Sequence, residues 1–126
     1  MNPKTIALFV FSVFVSAFVS AQTVYQFRGP QRNGIYNETN LLKVWPAEGP
    51  ELLWKTEGIG NGYSSPVVTA ERIFVTGEID SVGYLFAYDK AGSLLWKRET
   101  GPEWMENFTG SRSTPTIVDG LIYYES

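Results

Sequence analysis

The sequence predicts an all-β chain assembled from repeated four-stranded antiparallel sheets. Three observations carry that prediction. A tetrapeptide, Leu52-Leu53-Trp54-Lys55, returns unchanged as Leu94-Leu95-Trp96-Lys97, 42 positions on. A second block, Ser64-Ser65-Pro66-Val67-Val68, returns as Ser113-Thr114-Pro115-Thr116-Ile117, 49 positions on, and the match runs without a gap into Ile73-Phe74-Val75 against Ile122-Tyr123-Tyr124. Beyond Gln22 no apolar pattern of helical period is found; short β-branched and aromatic runs alternate instead with turn residues.

The amino-terminal segment reads as an export signal. Lys4 and the free amino group supply positive charge, and positions 6–19 are apolar apart from Ser12 and Ser16. Such a run is too short for a bilayer core, which needs about 20 apolar residues. Val19-Ser20-Ala21 puts small residues where a signal peptidase reads, so positions 1–21 are expected to be removed after Ala21. The mature chain, 22–126, would be periplasmic or secreted and would keep no membrane anchor. Positions 22–51 then form an extended lead-in, and the repeats occupy 52–126.

Within the repeats, positions 52–55 read as an outer strand without its preceding partners, a strap. Positions 66–69 form a first strand, whose leading Pro66 suits a strand start because no ladder donor is lost there. A tight turn at Ala70-Glu71 leads to a second strand at 72–76, and Asp80-Ser81-Val82-Gly83 leads to a third at 84–88. That third run, Tyr84-Leu85-Phe86-Ala87-Tyr88, is apolar throughout, which predicts burial on both faces. A turn at Lys90-Ala91-Gly92 precedes a fourth strand at 94–98. In the second copy the corresponding hairpin turn is Asp119-Gly120, a pair that tolerates positive φ. The two repeat offsets differ by seven, and the extra residues fall between Trp96 and Ser113, around Glu103-Trp104-Met105-Glu106.

A four-stranded antiparallel sheet covered on both faces by its like is a blade of a β-propeller. The expectation is therefore a partial β-propeller: about one complete blade, a strap strand and the start of a second blade. Closed rings use about 4 to 8 blades, so a truncated product or a segment of a longer protein is expected.

Composition removes several chemistries. The chain has 126 residues, 44% apolar and 15% aromatic, which suits one small globular domain rather than disorder. It contains no cysteine and no histidine, which excludes disulfides, thiolate or imidazole metal ligands, and triads that need an imidazole base. A net charge of -3 and a pI near 4.9 offer no basic footprint for nucleic acid.

Phe27-Arg28-Gly29-Pro30-Gln31-Arg32-Asn33-Gly34, Leu41-Leu42-Lys43-Val44-Trp45-Pro46 and Gly49-Pro50-Glu51-Leu52-Leu53-Trp54-Lys55 resemble the start of bacterial PQQ-like (quinoprotein-like) β-propeller repeat proteins. Gly62-Tyr63-Ser64-Ser65-Pro66-Val67-Val68 and Ala87-Tyr88-Asp89-Lys90-Ala91-Gly92-Ser93-Leu94-Leu95-Trp96 resemble their blade signature, with a turn one residue shorter than the commonest form. The resemblance implies a seven- or eight-bladed exported propeller. Some members are dehydrogenases that use pyrroloquinoline quinone (PQQ) with Ca²⁺, and others are non-enzymatic scaffolds.

Three expectations about function follow. The favoured one is a non-catalytic binding or scaffold module that meets a protein partner or a polymer through its loop face. The alternative is a PQQ- and Ca²⁺-dependent alcohol dehydrogenase, against which stands the lack of a vicinal cysteine pair. An inactive truncated product is a third reading. No catalytic residue and no metal site is assigned. Trp54 and Trp96, at equivalent places in the repeat, are expected to dock on neighbouring structure, each indole N–H on a backbone carbonyl. Tyr63 and Arg112 precede the first strand of each copy, at the expected channel mouth, and are the candidate cofactor-binding pair; Arg112 suits a carboxylate clamp. Glu103, Glu106 and Asp119 are scattered acids with no pattern that makes them Ca²⁺ ligands. Asn37-Glu38-Thr39 and Asn107-Phe108-Thr109 match a glycosylation sequon by chance, and the glycines at 58, 60 and 62 mark a loop.

Overall fold

The computed structural model describes residues 23–125 and is all-β, with no helix among them. The expected signal segment at 1–21 lies outside the described residues. Seven strands follow in order: β1 (Val24–Tyr25), β2 (Val67–Val68), β3 (Ile73–Ile79), β4 (Val82–Tyr88), β5 (Leu94–Pro102), β6 (Thr116–Val118) and β7 (Leu121–Tyr123). Strands β2-β3-β4-β5 make one antiparallel sheet in simple meander order, and β1-β6-β7 make a second, three-stranded sheet.

The meander is the repeat unit, and its turns explain themselves locally. At Ala70-Glu71 the Thr69 hydroxyl accepts from the amides of Glu71 and Arg72 at 3.3 and 3.0 Å, closing the turn with a side chain. The β3–β4 connection is tighter than the sequence suggests. Ile79 pairs with Val82, leaving only Asp80 and Ser81 between them at φ 51° and 71°. Paired positive φ values match the right-handed twist of a hairpin, and the twist lengthens both strands past their expected ends. Between β4 and β5, Asp89 Oδ1 accepts from the amides of Ala91 and Ser93 at 2.9 and 2.8 Å. Pairing between β4 and β5 skips Leu95 and Thr100, so β5 bulges twice.

Strand β4 is buried on both faces, as its uniform apolarity predicts; Ala87 is fully buried. One face carries Leu85 and Ala87 into a core with Val67, Phe74 and Ile117, packed further by Tyr25, Trp96 and Ile122. Ile117 and Ile122 belong to the second sheet, so this core joins the two repeats. The other face carries a ladder of rings, with Tyr84–Phe86 and Phe86–Tyr88 centroids 6.2 and 6.3 Å apart. The chain before β2 crosses that side of the sheet, where Ile59 rests on the backbone of Gly77.

Two expectations need correction. Positions 52–55 form no strand, and Leu52 and Leu53 are exposed. Only Trp54 docks, donating its Nε1–H to Lys90 O at 3.1 Å and laying its ring on Gly92. The strand that the lead-in does contribute lies earlier: β1 adds to β6 through Val24↔Val118 and Tyr25↔Ile117, within a segment read as merely extended. Two residues carry too little pattern to announce a strand. After β1, the segment from Gln26 to Gly34 folds on itself through Gln26 Nε2 to Pro30 O and Arg32 Nε to Gln26 Oε1, both 2.9 Å.

Candidate functional site

The site begins where the two Ser-Ser/Thr-Pro segments meet. Pro66 has no N–H for the ladder, and the chain from Asn61 to Val67 leaves the β3 edge. Ser64 Oγ replaces the missing bonds, donating to Thr76 O at 3.0 Å and accepting from Thr76 N at 3.3 Å. Thr76 in turn donates its hydroxyl to Ser113 O at 2.9 Å, and Ser113 is the counterpart of Ser64 in the second copy. The two segments then run side by side in parallel. Gly62 bridges Ser111, Tyr63 N donates to Ser111 O at 2.8 Å, and Ser65 N donates to Thr114 Oγ1 at 2.9 Å. The approach is close enough that Gly110, at φ +116°, admits no side chain: a Cβ there would lie 2.9 Å from backbone atoms of Asn61 and Gly62.

This junction brings Tyr63 and Arg112 to one cleft of ≈ 450 Å³, lined also by Trp104, Asn107 and Phe108. The three added residues come from the insertion between the repeats, which the sequence reading treated only as a longer loop. Its concentration of aromatics, Trp104 and Phe108 within five positions, was the available signal. Arg112 holds this loop in place, its Nη2 donating to Asn107 O at 2.7 Å and to Phe108 O at 2.5 Å. Phe108 sits at φ 51°, a left-handed backbone uncommon for a bulky residue. Its ring is nonetheless 78% exposed, beside Tyr63 at 64% and Trp104 at 56%.

A second cleft of ≈ 410 Å³ adjoins the first and shares Trp104 and Arg112; Glu103, Gly110, Ser113, Tyr124 and Glu125 line it. At its floor, Glu103 Oε1 accepts from Ser111 Oγ at 2.5 Å and from Tyr124 OH at 3.3 Å. Glu103 N donates to Ser81 O at 2.9 Å, fastening the insertion to the β3–β4 turn. Burial, and after it the neighbouring Glu103 carboxylate, holds the Tyr124 phenol above its usual pKa. Thr100 Oγ1, on the second β5 bulge, is buried without a hydrogen-bond partner. On the far side of the same turn, Glu78 is buried and its carboxylate is fully engaged, accepting from Ser81 N at 2.6 Å and Asn61 Nδ2 at 3.0 Å.

The acids do not fit the Ca²⁺ that the family resemblance implies. Glu103 Oε1 accepts from both Ser111 and Tyr124, Asp119 lies in the β6–β7 turn, and no three His, Cys, Asp or Glu among the described residues come together as a metal group. The tryptophans divide. Trp54 docks by its N–H on a carbonyl, whereas Trp96 packs against Phe74, centroids 6.0 Å apart, inside the shared core.

A scan against protein-family models finds no match to the chain, and neither a curated protein nor a solved structure is significantly similar to it.

Proposed function

We propose that the chain is part of an exported, PQQ-like β-propeller protein and acts as a binding module whose ligand sits where two repeats meet. The observation that supports this most directly is the parallel contact between equivalent segments of the two copies, through Gly62↔Ser111 and Ser65 N to Thr114 Oγ1. Innermost strands of neighbouring blades around a common axis stand in that relation, and the meander order β2-β3-β4-β5 is that of a single blade. Binding rather than turnover is favoured because the cleft offers aromatic surface and one tethered guanidinium, with no paired acid and base aimed at a common point.

Amide hydrogen exchange tests the junction. Tyr63 and Ser65 should be protected, and Thr114→Val should release Ser65 while leaving Tyr63 protected. Fast exchange at both amides in the native chain would overturn the arrangement. Amino-terminal sequencing of the exported protein tests the targeting expectation, with Gln22 as the expected first residue. The dehydrogenase alternative is tested by dye reduction with added quinone, Ca²⁺ and primary alcohols, for which no turnover is expected.

A further inference from the structure

Two adjoining clefts that share Trp104 and Arg112 make one trough at the repeat junction. We propose that this trough binds a neutral, hexose-based glycan, with Trp104, Phe108 and Tyr63 as stacking surfaces for sugar rings and Arg112, Asn107, Glu103 and Glu125 meeting their hydroxyls. The inference rests on the binding-module reading above and names its ligand class.

Four features lead to it. First, three exposed aromatic side chains, Tyr63, Trp104 and Phe108, gather at one open cleft, as in surfaces that bind a ligand. Phe108 is the strongest case, because its ring stays in solvent while its backbone is kept in a left-handed conformation by the Arg112 guanidinium on its carbonyl. An unstrained arrangement was available to a glycine at that position, and strain held at an exposed aromatic points to a function. Second, pyranose rings carry apolar C–H faces and a rim of hydroxyls that both donate and accept. The trough has the matching pattern, flat apolar surfaces with a guanidinium and an amide as donors and carboxylates as acceptors.

Third, the charges select against ionic ligands. The single cation, Arg112, already serves two carbonyls, and an anionic ligand would also face Glu103 and Glu125. A cationic ligand would meet the guanidinium beside the aromatic rings. A ligand without charge escapes both penalties. Fourth, each cleft is of small-molecule volume, and the aromatic one lies wide open to solvent, as stacking of a sugar face on exposed rings allows.

The experiment is calorimetric titration of the mature full chain with soluble neutral hexose oligosaccharides of α and β linkage, and separately with pyrroloquinoline quinone. The expected result is saturable binding of at least one neutral oligosaccharide. Trp104→Ala should weaken it by roughly tenfold, as loss of a principal stacking partner does. Phe108→Gly should weaken it comparably while leaving thermal stability equal or higher, because glycine accepts the positive φ. A merely structural phenylalanine would not separate those two readouts. Trp45→Ala, an exposed aromatic outside the trough, should bind as the parent does.

Binding of the quinone alone, lost in Trp104→Ala, would overturn the glycan assignment and leave the binding-module reading standing. No binding of either probe, with Tyr63 and Ser65 amides still protected, would overturn the glycan assignment while the repeat junction stands. Capture of a protein partner whose contact is lost in Phe108→Gly, with no oligosaccharide binding, would overturn it as well.

Discussion

Several side chains in this protein do work that backbone groups do elsewhere. Ser64 supplies both a donor and an acceptor to Thr76 where the chain swings away from β3, and Glu78 accepts from Ser81 N and Asn61 Nδ2 while 2% exposed. A buried carboxylate satisfied in this way leaves its donors orphaned when removed. Glu78→Ala is therefore expected to lower the unfolding free energy by about 1–3 kcal/mol, measured by urea denaturation. Tyr124 gives a pH signature. Its folded pKa lies above the unfolded value of about 10, so the folded state holds the proton more tightly. The stability it contributes is intact below that unfolded value and is lost as pH climbs through the folded one. Denaturation midpoints should thus fall more steeply on the alkaline side in the parent than in Tyr124→Phe. A midpoint series in which the two proteins run parallel would contradict the assignment.

Turns decide how far the strands of the meander extend. Asp80 and Ser81 both hold positive φ without being glycine, and the bond from Ser81 N to the Glu78 carboxylate needs no Ser81 side chain. Ser81→Gly should then stabilise the hairpin by about 0.5–1 kcal/mol, the relief of a left-handed residue less the entropy of glycine, read as a higher melting temperature. Gly92 is the opposite case. At φ +85°, a Cβ there would meet the Trp54 ring at 2.6 Å. Gly92→Ala should lower stability and expel Trp54 from its seat, with a red shift and quenching of its fluorescence relative to Trp54→Phe controls. The β2–β3 and β6–β7 turns were legible because Ala70-Glu71 and Asp119-Gly120 each fall between matched apolar runs. The Asp80-Ser81 turn is shorter than the sequence suggests, since Val82 and Gly83 look equally suited to a loop until pairing with Pro102 and Gly101 places them in β4.

The two sheets share one core, and that sharing decides how the molecule unfolds. Ile117 is the buried residue that the second sheet gives to a cluster otherwise built from β2, β3 and β4. Ile117→Ala should cost about 2–5 kcal/mol and, in addition, uncouple the sheets. Hydrogen exchange in β6 and β7 should then rise well ahead of that in β3 and β4, whereas a single cooperative loss across all strands would show that the coupling lies elsewhere. The exposed apolar side chains before the first sheet, among them Leu41, Leu42, Val44, Trp45, Leu52 and Leu53, remain outside this core.

Apolar runs, turn residues and the two repeat offsets were enough to establish an all-β chain, four strands of one module, the doubly buried strand β4 and the pairing of Tyr63 with Arg112 as equivalent positions. Those are local or periodic properties, carried by side-chain type and spacing alone. Tertiary structure decided what the spacing could not. It put β1 on the edge of β6, left 52–55 unpaired with only Trp54 seated, and brought the inserted residues Trp104, Asn107 and Phe108 against Tyr63 and Arg112. The β1–β6 pairing and the Trp54 seat depend on bonds between residues far apart in the chain, for which the sequence carries no period.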